Sequence, residues 1–452
     1  MATQRGRTSV GPLAGTPGRA SDVTVKIAEV LLHTPQSEVP RRIGWLSQRS
    51  DAIRLSFSDE YINDRGRPTL SQQYRGESEA DTRIILTATG DERLVHASRL
   101  PPFFENMLPE GHNRERLAAR RGVEVDDEFE LLAAAGHDLI GGVEVVPARD
   151  LPPHVLELHT GHRGNLAAAA SVAAPVDDGF SVGGYVTKFS MVHEGHRYVV
   201  RHGTLAGEVL AKLPSLRYPD MVRNEAACYR LAEAVGITTA GATERPITEL
   251  DIPQENLLAF TEYLHVPRFD RKRLADGTVK RVHFEELTQA LGLESRRKYR
   301  DLSSAMAALL SGLKASDAAT VNDLDEVFRR WTAYALMGNT DAHAKNWGLL
   351  YDDAVHFRLA PAYDMVCVAA YFDPQDKLHL AQNRKLDESL RRWGQDEAEA
   401  LAKSAGLLAF NRFRRVVRET QQHALAAWPT LLTEAPPGVA KEIGERLKRL
   451  VR

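Results

Sequence analysis

The chain has 452 residues, 43% of them hydrophobic and 26% charged, the balance of an ordinary soluble protein long enough for two or three domains. A formal net charge of −3 excludes a purely electrostatic nucleic-acid binder. Two cysteines, Cys228 and Cys367, cannot build a disulfide framework, and no apolar run approaches the ~18 residues needed to span a bilayer. A reducing, cytoplasmic setting without membrane contact is therefore expected.

Residues 1–21 carry Arg5, Arg7 and Arg19 among Gly and Pro with no acidic residue, and read as a disordered tail. Residues 22–150 read as a small β-rich subdomain. Val23, Val25 and Ile27, then Ile53, Leu55 and Phe57, alternate as strands do, and Asn63-Asp64-Arg65-Gly66 is a turn signal. The period then changes: Phe103, Phe104, Met107 and Leu108, and later Phe129, Leu131 and Leu132, suit helices packed on that sheet. Asp126-Asp127 precedes the second run as a cap, and Gly136 and Gly141-Gly142 end the block. Residues 151–176, with Pro152-Pro153 and an Ala run at 167–170, read as a connector, partly helical at most.

Residues 177–265 begin with a glycine-rich turn and continue as short strands. One is Tyr198-Val199-Val200, after the Glu194-Gly195 turn; another is Val209–Leu213, stopped by Pro214. A helix over 220–235 follows, closed by Gly236. Residues 266–452 are expected to be mainly helical, apart from a hairpin near 348–360.

The most informative stretch is Asn339-Thr340-Asp341-Ala342-His343-Ala344-Lys345-Asn346, completed by Asp364 in Ala360-Pro361-Ala362-Tyr363-Asp364. Asp341 precedes Asn346 by five positions, and Asp364 follows 18 residues later. Kinase catalytic loops use this arrangement: an Asp orients the attacking hydroxyl, an Asn holds one metal, and a later Asp holds the metals. Leu324, Val327, Phe328, Trp331 and Tyr334 repeat at helical spacing and Gly338 ends that helix, so Asp341 opens a loop on a rigid support. The following hairpin would return Asp364 beside Asn346, where amide oxygen and carboxylate could share magnesium. Lys345 either neutralises the transferring phosphoryl group or is solvated. His343 reads as a brace of the loop beside the nucleotide rather than a metal ligand.

On the nucleotide side, Ser181-Val182-Gly183-Gly184 leads to Lys188, and paired glycines let backbone amides approach phosphates. Lys212 in a short apolar strand needs an anionic partner; Glu225, on the next helix, could hold it as strand lysine and helix glutamate pair in kinases. Arg268 and Phe269, in Val266-Pro267-Arg268-Phe269-Asp270-Arg271, stand where a hinge between lobes would border adenine.

Taken together, these motifs resemble the HipA-family serine/threonine kinases, toxins of bacterial toxin–antitoxin pairs. The likeness covers nearly all of the chain after the tail. Pro101–Gly111, Asp127–Leu132 and Gly141-Gly142 resemble the family's N-terminal subdomain, and Thr340–Asn346 with Pro361–Asp364 its catalytic core. It implies an α+β, two-lobed, protein-kinase-like fold with a small N-terminal β-rich subdomain and a largely helical C-terminal lobe. It implies ATP and Mg2+, with Asp341 catalytic, Asn346 and Asp364 on the metal, Lys212 on the phosphates and Ser181 as an inhibitory autophosphorylation site. It further implies an aminoacyl-tRNA synthetase as protein substrate and a HipB-like helix-turn-helix antitoxin through which any DNA contact is made. Two departures stand out: Tyr185-Val186-Thr187 replaces a more polar stretch, and Pro267 removes a backbone donor.

Two competing readings are a metal-dependent phosphohydrolase using Asp341, His343, His356 and Asp364, and an inactive antitoxin-binding scaffold. The glycine-rich loop, Lys212 and the kinase-like spacing argue against the first, and the intact Asp341, Asn346 and Asp364 against the second. Arg412, Arg414, Arg415 and Arg418 on a C-terminal helix read as a solvated basic face.

Overall fold

A computed structural model describes residues 25–149, 157, 169–176, 187–195, 197–201, 206–252, 260–372 and 377–450. The expected tail, most of the connector and Ser181, Val182, Gly183 and Gly184 lie outside the described residues.

The N-terminal part is built on one sheet. Strands β1 (Val25–Leu32), β2 (Arg41–Arg49), β3 (Ala52–Phe57), β4 (Val95–Ala97) and β5 (Val143–Pro147) pair antiparallel in the order β4-β3-β2-β1-β5. Within the stretch read as connector, Ala169–Ser171 forms β6 and pairs parallel with the start of β1, a strand where at most partial helix was expected. Helices α1 (Asp59–Asn63), α2 (Glu79–Thr87), α3 (Pro102–Glu105), α4 (Gly111–Arg121) and α5 (Glu128–Ala135) accompany the sheet. Asp127 caps α5, accepting from the Glu130 amide at 3.2 Å. Phe103, Phe104, Phe129 and Leu131 join Val30, Leu46 and Leu55 in one core.

A second sheet has the order β10-β12-β9-β7-β8-β11, from β7 (Lys188–Glu194), β8 (Arg197–Val200), β9 (Val209–Lys212), β10 (Thr243–Pro246), β11 (Leu250–Asp251) and β12 (Glu262–Pro267). Helix α6 (Met221–Ala234) packs beside it, with Val222, Ala226, Leu231 and Leu264 in a common core. A small ribbon, β13 (Arg271–Arg273) with β14 (Val279–Arg281), follows.

The expected hairpin is β16 (Gly348–Tyr351) with β17 (Arg358–Leu359), and β15 (His283–Glu286) adds a third strand to it. The remainder is helical: α7 (Leu287–Ala290), α8 (Leu302–Ala315), α9 (Val321–Met337), α10 (Lys377–Arg392), α11 (Gln395–Ser404), α12 (Phe410–Leu431) and α13 (Pro437–Leu450). A capping box of Thr320 and Asp323 starts α9, and Gly338, at φ +68°, ends it. None of the described helices is long and apolar enough to cross a membrane. Two of the four arginines of α12 are engaged: Arg412 grips Asp325 with two bonds of 2.7 and 2.6 Å, and Arg414 reaches Glu399 at 2.7 Å, while Arg415 and Arg418 are exposed as expected.

Candidate active site

A cavity between the second sheet and the helical part gathers Lys188, Lys212, Asp341, His343, Lys345, Asn346 and Asp364. Chain order separates these residues by up to 176 positions, and three local structures bring them together.

The first is the β7–β9 pair. Lys188 and Lys212 are directly opposed across it, so both side chains leave the sheet on one face. Lys212 Nζ bonds Glu225 Oε1 at 2.6 Å and Asp364 Oδ1 at 2.5 Å. Burial opposes charge on Lys212, yet Asp364 and Glu225 raise its pKa well above the ordinary lysine value. Lys188 has no such carboxylate within ion-pair range among the described residues. Burial, then the neighbouring Lys212, pushes its pKa down to about 8. Opposed buried ammonium groups with an incomplete set of counter-charges are suited to a polyphosphate.

The second is the loop after α9. Gly338 turns the chain, Asp341 stays accessible at the cavity, and residues 342–350 are buried. Trp347, fully buried against Trp331 and Tyr334, anchors the loop behind the site. Asn346 donates its amide N–H to the Asp341 carbonyl at 2.8 Å, which leaves its side-chain oxygen as the atom able to meet a cation. His343 packs edge-on against Tyr299, and burial lowers its pKa to about 4, so it stands neutral as a brace.

The third is the return segment. The backbone amide of Ala362 donates to the Thr238 carbonyl at 2.8 Å, and the Tyr363 hydroxyl donates to the Lys345 carbonyl at 2.8 Å. Asp364 sits at φ +58°, a left-handed conformation uncommon outside glycine, and its amide donates to the Tyr229 hydroxyl at 3.1 Å. Burial disfavours its ionisation, but Lys212 and then Lys188 hold its carboxyl well below the usual range. Asn346 and Asp364 thus offer two hard oxygen ligands in a cavity with Lys188 and Lys212, a donor set that fits magnesium carried by a nucleotide.

The apolar wall includes Leu210, Val266, Phe269 and Phe284, with Phe269 and Phe284 rings 5.1 Å apart. Phe269 therefore borders the cavity. Arg268 also lines the cavity, and its guanidinium is engaged by the protein: it forms a fork on Asp270, with bonds of 3.0 and 2.8 Å, and reaches Asp138 at 3.0 Å. A buried guanidinium requires such partners, and Arg271 shares both carboxylates. Lys345 is neither solvated nor unpaired; it is buried and held by Glu110 at 3.0 Å and by the Asn106 carbonyl at 3.2 Å.

Sequence reasoning missed Tyr299, whose hydroxyl donates to the Asp341 carboxylate, and Lys298, Asn106 and Glu110 on the cavity wall. Tyr299 sits in Arg296-Arg297-Lys298-Tyr299-Arg300, which looks like a solvated basic run. His356 of the phosphohydrolase reading stays outside the cavity and bonds Asp353 at 2.7 Å.

The pattern described as HipA-like C-terminal domain matches residues 180–428, and the HipA N-terminal domain matches residues 39–146. A Sinorhizobium fredii protein named "Putative kinase Y4dM" is 32% identical over 384 residues, covering 83% of this chain and 85% of its own. A second from the same organism, "Putative kinase Y4mE", is 27% identical over 81% of this chain and 84% of its own. Among solved structures, Shewanella oneidensis HipA, in complex with HipB and its operator DNA, superposes with a TM-score of 0.65 at 21% identity, covering 94% of this chain and 96% of that one. That likeness extends the two-lobed fold over almost the whole length, and the two domain matches together with the first relative show that the chain belongs to the HipA family of kinases.

Proposed function

We propose that this protein transfers the γ-phosphoryl group of ATP to a serine or threonine of a protein substrate. The observation that carries this reading is Lys212 joined at once to Glu225 and Asp364, in the cavity that Asp341 and Asn346 also line. ATP with Mg2+ supplies the phosphoryl group and neutralises the charge that develops on it. Lys212 and Lys188 hold the phosphates, and Asn346 and Asp364 offer oxygen to the metal. Asp341 accepts the proton of the substrate hydroxyl, and the Tyr299 hydroxyl, donating to its carboxylate, orients it.

The substrate class we infer from family resemblance is an aminoacyl-tRNA synthetase, whose phosphorylation would stop translation and growth in the cytoplasm. Phosphorylation of Ser181 would place about two negative charges where ATP phosphates sit and switch the enzyme off. The Shewanella oneidensis relative was solved with HipB and operator DNA, which supports a HipB-like antitoxin as partner, with DNA reached through it.

Incubation with labelled ATP and magnesium tests the reading. Label is expected on Ser181 of the chain itself, and Asp341→Asn is expected to slow transfer on the order of 10²–10⁴-fold while ATP affinity stays nearly constant. Release of free phosphate without labelled protein would refute it.

A further inference from the structure

Pro101–Gly111 resembles a subdomain signature, yet phosphoryl transfer as described above gives it no task. Its last turn supplies Glu110, whose side chain is 27% exposed and lines the cavity. Glu110 Oε1 meets Lys345 Nζ at 3.0 Å and Oε2 meets Lys298 Nζ at 3.1 Å. The Asn106 carbonyl takes a further bond from Lys345 at 3.2 Å. Both lysines are tied to the catalytic loop. Lys345 is the residue before Asn346, and the Lys298 carbonyl accepts from the Ala344 amide at 3.0 Å.

Three bonds therefore leave the N-terminal subdomain, two to Lys345 directly and one to Lys298, whose carbonyl in turn holds the Ala344 amide. Two facts set this apart from an ordinary interdomain ion pair. Lys345 is only 6% exposed, so water replaces a lost partner of its ammonium poorly. Its other carboxylate, Glu286, is more distant at 3.8 Å. Loss of the Glu110 charge would leave two lysines repelling each other beside the metal-holding Asn346.

We propose that Glu110 is a positioning residue for phosphoryl transfer, through which the N-terminal subdomain clamps Lys345 and Lys298 and so fixes Asn346 and Asp341. This rests on the kinase reading given above. The clamp acts on geometry at the reacting centre, so its loss falls chiefly on the transfer step, while nucleotide capture rests on Lys212 and Lys188 of the β7–β9 pair.

The full-length chain and its Glu110→Gln, Glu110→Asp, Lys345→Met and Glu110→Gln/Lys345→Met variants provide the test. Three quantities are measured: the initial rate of label transfer from ATP to the chain itself, ATP affinity with magnesium, and hydrogen exchange of the amides of residues 341–346. Glu110→Gln is expected to slow transfer roughly 10–100-fold, to leave ATP affinity within about threefold, and to speed exchange in the loop. Glu110→Asp should recover part of the rate, and the double variant should be no slower than Lys345→Met alone. A folded Glu110→Gln variant with unchanged transfer and exchange overturns the clamp, as does a loss confined to ATP affinity. If the unaltered chain transfers no label, the kinase reading fails by itself. Loop exchange then decides the clamp separately, unchanged protection overturning it and faster exchange upholding it.

Discussion

At the scale of single residues, Lys212 is where stability and proposed function meet. It neutralises Glu225, which is almost fully buried, and Asp364, which faces the cavity from a left-handed backbone. Lys212→Met keeps the apolar stem but strands the buried Glu225 carboxylate. Removing one partner of a buried ion pair costs about 3–5 kcal/mol. The denaturation midpoint should therefore drop, and ATP binding should vanish with it. Replacing Glu225 as well, as Lys212→Met/Glu225→Gln, removes the stranded buried charge and should restore part of the stability without restoring ATP binding. Chemical denaturation together with nucleotide titration checks both arms; a double variant no more stable than the single one would show that the Glu225 charge is not what the lysine serves.

At the scale of elements, α9 carries the catalytic loop, and its end is tightly specified. Gly338 adopts φ +68°, and an added Cβ would lie 2.6 Å from Arg446 Nε and 2.9 Å from Ala369 Cβ. Arg446 cannot easily retreat, being fully buried, bonded to Asp387 and Glu442 and donating to the Ala335 carbonyl. Gly338→Ala combines backbone strain with this clash. It is expected to lose more than about 1 kcal/mol by urea denaturation and to lower transfer activity, since Asp341 lies three positions on. This helix was legible in sequence because apolar spacing, a glycine stop and a polar loop coincide there. The Lys212–Glu225 pairing was legible for a similar reason, since a strand and the following helix keep the two close in the chain. The Glu110–Lys345 contact spans 235 positions and leaves no local pattern. The hinge position of Arg268 placed it at the cavity, whereas its bond to Asp138 spans 130 positions and leaves no local pattern. Strand β6 escaped notice because Ala167–Ala170 favours helix by propensity, and pairing with β1 overrides it.

At the scale of the whole molecule, the N-terminal subdomain is joined to the helical part by buried polar contacts, and one of them titrates near neutrality. Glu285 on β15 is fully buried, accepts the Gln72 amide at 3.1 Å and the Tyr351 hydroxyl at 2.5 Å, and so links both parts. Burial pushes its pKa up to about 7 from a carboxylate value near 4.5. The unfolded chain ionises first, so the folded state holds the extra proton between these values. Its stabilising contribution is complete below about pH 4.5 and is lost as pH rises through 7. Glu285→Gln keeps an acceptor for Gln72 and Tyr351 but removes the titration. Comparing denaturation free energies at pH 5 and pH 8, the variant should gain about 2–3 kcal/mol relative to the unaltered chain. The buried histidines His265, His283 and His343, each lowered to about 4, act in the opposite sense over an overlapping range. They are common to both proteins and cancel in the difference, so a difference that stays flat between the two pH values would mean that Glu285 does not take up a proton on folding.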